Sequence, residues 1–133
     1  MKGIGARFKK VLLIDDNEID NFINERMISA SNFSSEVIVK NSTDESLIYL
    51  KSLSDVNEFP QVIFLDLNMP GKDGFSFLSE FENLNEGLKL NCKIIVLSSS
   101  ISPDDINKAS TNKFVYKYVN KPLNEKYLNA IDF

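Results

Sequence analysis

The chain has 133 residues, a length that supports one sizeable core but not two ordinary domains. Fifteen basic against nineteen acidic residues leave a net charge of −4, which argues against non-specific nucleic-acid binding, and a single cysteine excludes an internal disulfide. No apolar stretch reaches the roughly 18 residues of a membrane span, and the first ten residues lack the apolar region of a signal peptide, so a cytoplasmic protein without a membrane partner is expected.

A short mobile basic tail is expected over residues 1–9, with one folded domain over 10–133. The first apolar run, Val11-Leu12-Leu13-Ile14, has no polar alternation and closes on Asp15 and Asp16, the pattern of a strand covered on both faces of a parallel sheet. A helix is expected over Glu18 to Ala30, because Ile19, Phe22, Ile23, Met27 and Ala30 share one helical face; Asp16 or Asn17 would cap it. A second strand, Glu36 to Lys40, leads into the capping box Ser42-Thr43-Asp44-Glu45 and a helix ending near Leu53. The third apolar run, Val62-Ile63-Phe64-Leu65, delivers Asp66 to its end, and the Met69-Pro70-Gly71 that follows cannot extend a sheet. An exposed, rigidly mounted carboxylate is expected there. Phe77, Phe81 and Leu84 stripe a third helix from about Gly74, and Asn85 to Asn91 forms a long polar connection.

The fourth strand, Lys93-Ile94-Ile95-Val96-Leu97, ends in Ser98, and Cys92 just before it is expected to be a packed or half-exposed thiol with no catalytic part. Ser102 would cap the next helix, with Pro103 at its first position and Asp104 and Asp105 in its first turn. Val115 to Val119 forms the last strand, Asn120-Lys121-Pro122 follows, and a final helix starts near Asn124. The fold class is therefore α/β: a doubly wound five-stranded parallel sheet of order 2-1-3-4-5, the flavodoxin-like arrangement built from right-handed crossovers.

Ligands bind at the carboxyl ends of strands in such sheets. If the first and third strands are neighbours, Asp15, Asp16 and Asp66 converge, and their mutual repulsion calls for a hard divalent cation. Mg2+ fits best, since it binds through one or two carboxylates and leaves positions for water and phosphate oxygens. Each residue taken singly also has a plainer role: Asp66 as a turn former, Asp15 and Asp16 as helix caps, Ser98 as a loop serine, Lys121 as a solvated charge, Tyr118 as an ordinary strand residue.

The succession of acid pair, acid, hydroxyl and Lys-Pro, each after an apolar strand, resembles the receiver domain of two-component response regulators from about Lys10 onward. That resemblance implies a (βα)5 receiver fold with Asp66 as phosphoryl acceptor. It makes Asp16 a direct Mg2+ ligand, Asp15 an assisting one through water, and the backbone carbonyl of Asn68 a third donor. Ser98 would bond the phosphoryl group, Lys121 would pair with a phosphoryl oxygen, and Ser98 with Tyr118 would form the switch.

The implied donor is a sensor histidine kinase or a histidine phosphotransfer protein, and the implied reader is a further, unknown protein. Catalysis would be confined to the domain's own phosphorylation and dephosphorylation. The chain has no histidine with which to act as donor, and neither a Walker motif nor a G-x-G-x-x-G run is present. Ser99 and Ser100 offer no acid or amide to position a hydrolytic water, so dephosphorylation is not expected to be unusually fast. About eleven residues follow Pro122, so a stand-alone receiver signalling by contact is expected. The alternative is a haloacid-dehalogenase-like Mg2+-dependent phosphatase or phosphotransferase with Asp66 as nucleophile, but such enzymes carry an acid two residues later, where this chain has Asn68.

Overall fold

Residues 6–67, 73–98 and 103–131 are described by a computed structural model. Five strands, β1 (Phe8–Ile14), β2 (Ser34–Lys40), β3 (Val62–Asp66), β4 (Lys93–Ser98) and β5 (Val115–Asn120), pair in parallel in the order β2-β1-β3-β4-β5. Helices α1 (Glu18–Ala30), α2 (Thr43–Lys51), α3 (Gly74–Phe81), α4 (Glu86–Lys89), α5 (Pro103–Ser110) and α6 (Glu125–Ala130) fill the connections. The expected sheet order is the one observed.

Two faces of apolar side chains explain why the sheet is covered on both sides. Val11 and Leu13 of β1, Val62 and Phe64 of β3, and Ile95 and Leu97 of β4 pack with Ile28 of α1 and Leu128 of α6. The alternate residues Leu12, Ile14, Ile63, Leu65 and Ile94 pack with Leu47 and Leu50 of α2 and Phe77, Leu78 and Phe81 of α3. A smaller cluster of Leu67, Val96 and Ala109 seats α5, with Tyr118 partly buried against it. The side chains of β3 are buried along its whole length, so the unbroken apolar run reflects burial on both faces.

Local signals set the helix starts. Asn17 caps α1, its side chain accepting the amides of Ile19 and Asp20; Ser42 caps α2 through the amide of Glu45, and Asn124 caps α6 through that of Tyr127. Asn32 takes the left-handed conformation at φ 53° just past α1, a place where asparagine is tolerated.

Four expectations need correction. β1 begins at Phe8, inside the span assigned to a tail, because Phe8 is buried against Phe33 with ring centroids 4.9 Å apart. Arg7 also lies within the fold, its guanidinium donating to the carbonyls of Leu128 and Ile131. β2 starts two residues earlier than expected, at Ser34. The polar connection after α3 holds a helical turn, α4, capped by Asn85 and anchored by Lys89, whose buried ammonium donates to the Glu82 carbonyl at 2.7 Å and lies 4.7 Å from the centre of the Phe114 ring.

The largest correction concerns α1. Most of its apolar stripe faces solvent: Ile19, Phe22 and Ile23 are 71%, 60% and 43% exposed and Met27 alone packs partly against the core, while Asn21, Asn24 and Ile28 are buried. The reason lies in the hydrogen bonds at the strand ends.

Candidate functional site

Sheet register brings the predicted residues to one edge. Ile14 pairs with Leu65, so Asp15 follows β1 level with Asp66; Asp66 pairs with Leu97, and Ser98 pairs with Asn120, placing Ser98 and Lys121 one step further out. The amide of Lys121 donates to the Ser98 carbonyl at 3.0 Å, which continues the β4–β5 ladder to the lysine itself. Alternation along β3 puts Asp66 on the same face as Val62 and Phe64, the side covered by α1 and α6.

Asp15, Asp16 and Asp66 each offer a carboxylate oxygen, and these oxygens lie within 4.8 Å of one another. Asp15 and Asp66 are buried, at 1% and 4% exposure, whereas Asp16 is exposed. The expectation of an exposed Asp66 is thus corrected: the ammonium of Lys121 lies over it.

Lys121 is the centre of the site. Its Nζ is 2.6 Å from Asp15 Oδ2, 3.0 Å from Asp20 Oδ2 and 3.3 Å from Asp66 Oδ2, and its side chain is only 10% exposed. Burial works to lower its pKa, but hydrogen bonding to Asp15 and Asp20 and the charge of Asp66 outweigh that, and the ammonium is held above the ordinary lysine range. Buried charges persist here because each faces an opposite one. The reading of Lys121 as a solvated surface charge does not hold.

The acidic cluster fits a hard cation. Asp15 Oδ1 accepts the amide of Asn17 at 3.0 Å, and the buried Asp15 Oδ2 faces the Lys121 ammonium. An oxygen of that kind, beside two more carboxylates, suits a divalent ion with oxygen ligands. Asn68, Ser99, Ser100 and Ser102 lie outside the described residues. Ser98 is 1% exposed at the end of β4, and Tyr118 sits on β5 against the Leu67, Val96 and Ala109 cluster.

Three further residues were not singled out by the sequence. Asn21 donates to the Asp15 carbonyl at 2.7 Å, and Asn24 accepts the amide of Leu123 at 3.1 Å, so the inward face of α1 ties the loops after β1 and β5 together. Their spacing with Ile28 (i, i+3, i+7) was a usable signal, masked by the stronger apolar stripe one position away. Gly74 donates its amide to the Leu67 carbonyl at 3.1 Å, and a Cβ there would lie 2.7 Å from both the Asp66 carbonyl oxygen and Leu67 Cα. Glycine is required by this close approach.

Residues 11–131 match the model of the response regulator receiver domain family. Response regulator Rcp1 of Synechocystis sp. is 30% identical over 122 residues, spanning 90% of this chain and 81% of that protein. A two-component response regulator from Cytophaga hutchinsonii superposes with a TM-score of 0.84 at 34% identity, covering 91% of each chain. The phosphorylated cyanobacterial phytochrome response regulator RcpA does so with a TM-score of 0.72 at 32% identity, covering 91% of this chain and 86% of the other. The Mn2+-bound form of Rcp1 gives a TM-score of 0.72 at 29% identity, covering 90% and 86%.

Proposed function

This chain belongs to the response regulator receiver family, and on that premise we propose that Asp66 accepts a phosphoryl group from a phosphohistidine donor and that the modified site alters a protein-binding surface. The observation that carries this reading is the Lys121 ammonium, 3.3 Å from Asp66 within a cluster of three metal-capable carboxylates. An Asp66 oxygen forms a bond to phosphorus as the phosphorus–nitrogen bond to the donor imidazole breaks, leaving an acyl phosphate and a neutral histidine after protonation of the leaving nitrogen. Lys121 offsets charge on the transferring oxygens.

Asp15, Asp16 and Asp66 would hold Mg2+, with the Asn68 carbonyl as a further donor, and the bound ion would supply additional charge neutralisation. The relatives support both features, one having been observed phosphorylated and another with Mn2+. The added charge of about −1.5 to −2 would draw on the Ser98 hydroxyl, and Tyr118, resting against Leu67 and Val96, would turn with it. Receiver domains partner with histidine kinases, and a kinase or a histidine phosphotransfer protein is the donor class proposed here.

Incubation with acetyl phosphate and Mg2+ tests the reading. Intact-mass analysis is expected to show one phosphoryl group per chain, lost in Asp66→Asn and upon chelation of the metal. Repeated turnover of an external phosphate ester would instead favour an enzyme.

A further inference from the structure

The three carboxylates around Lys121 are not equivalent. Asp15 and Asp66 belong to the metal-capable group, but Asp20 does not: it projects from the first turn of α1 with its side chain 36% exposed, and it reaches the ammonium at 3.0 Å. An ammonium has three N–H bonds, and here three carboxylate oxygens face it within 3.3 Å. A cation drawing on Asp15 would weaken the first of these contacts. Phosphorylation of Asp66 would move the charge of the third outward onto the phosphoryl oxygens. Asp20 is neither in the metal-capable group nor the phosphoryl acceptor, so neither change draws directly on its carboxylate.

Resting on the phosphoacceptor reading above, we propose that Asp20 is a positioning residue that restrains Lys121 in the unphosphorylated state and slows phosphoryl transfer to Asp66. Two effects act in the same direction. Asp20 competes with the incoming phosphoryl oxygens for an N–H of Lys121, and its negative charge neutralises part of the positive charge that those oxygens would meet. The ordinary role for an acid in a first helical turn is to complement the helix dipole. That role accounts for Asp20 lying near the start of α1 but not for its contact with a lysine 101 residues away in sequence.

The proposal predicts that Asp20→Asn, which keeps the shape and loses the charge, takes up phosphoryl from acetyl phosphate about 1.5- to fivefold faster than wild type, the scale expected for losing one partly exposed ion-pair partner. Asp20→Glu, which keeps the charge, should stay near the wild-type rate. The full chain is incubated at saturating Mg2+ and the phosphoprotein followed by intact mass, with each variant's melting temperature taken alongside. An Asp20→Asn rate equal to or below wild type overturns the proposal, as does an equal acceleration in Asp20→Glu, which would trace the effect to the helix start. If the wild-type chain takes no label, the phosphoacceptor reading and this inference fall together; if it is labelled and Asp20→Asn is no faster, only the inference falls.

Discussion

Helices α1 and α3 carry comparable apolar residues and dispose of them in opposite ways. In α3, Phe77, Leu78 and Phe81 lie on the sheet, and the Phe81 ring sits 5.8 Å from Phe77 and 5.1 Å from Phe114. In α1, Ile19, Phe22 and Ile23 face solvent while Asn21 and Asn24 turn inward. The difference comes from what each helix covers. The core side of α3 meets apolar side chains, whereas the first turns of α1 lie over the ends of β1 and β5, where the Asp15 carbonyl and the Leu123 amide need partners. Leaving one such group buried and unpaired costs about 1–3 kcal/mol, and burying one large aliphatic or Phe side chain contributes about 1.5–3 kcal/mol. Asn21 and Asn24 each serve one of these groups, and turning the helix to bury the stripe would also bring out the buried Ile28, so these losses offset much of the gain. Local hydrogen-bond demand at the site then decides which face goes in.

That contrast can be broken most forcefully from the α3 side. Phe81→Ala should cost about 3–5 kcal/mol of stability, read as a lower urea midpoint, yet leave the phosphorylation rate of the folded protein nearly unchanged. Truncation of Asn21 works the other way round. Asn21→Ala should cost about 1–3 kcal/mol, because the Asp15 carbonyl loses its 2.7 Å partner, and it should also slow acetyl phosphate labelling, because the loop that carries Asp15 loosens. A normal labelling rate in this variant would remove the link drawn between α1 and the site. The smallest change is expected for Phe22→Ser, within about 0.5 kcal/mol of wild type, since the side chain is 60% exposed. A loss above about 1.5 kcal/mol would show that the stripe is covered in solution.

Most of the fold was legible because its signals are local and redundant. Uninterrupted apolar runs marked buried strands, and Ser42 and Asn124 marked helix starts that the structure retains. Asp15, Asp16 and Asp66 were legible as a group because parallel pairing of β1 with β3 is what the crossover pattern requires, and the register then leaves little freedom. What escaped was set across the sheet rather than along the chain. Asp20, Asn21 and Asn24 acquire their roles from Lys121, Asp15 and Leu123, and an amphipathic reading of α1 weighs apolar residues without knowing which backbone groups lie beneath. The boundary at Phe8 was missed because Lys9, and the Lys10 that opens the expected domain, look like solvated charges. In the structure Lys10 is a buried charge instead: its Nζ donates to the Glu58 carbonyl at 3.0 Å and lies 3.3 Å from that residue's carboxylate. Burial acts to lower its pKa, and Glu58, Tyr49 and Glu36 together more than offset it.

The contact at Gly74 gives the acidic edge a mechanical character. Because even a methyl group would collide with the Asp66 carbonyl and Leu67, the start of α3 already rests against the end of β3 with no clearance. Such a contact resists in both directions but unequally: collision blocks advance of the helix start on the strand end, and a single backbone hydrogen bond opposes its withdrawal. Any displacement of the backbone at Asp66 toward α3 must therefore push the helix with it, while displacement in the other direction pulls on the hydrogen bond between the Leu67 carbonyl and the Gly74 amide.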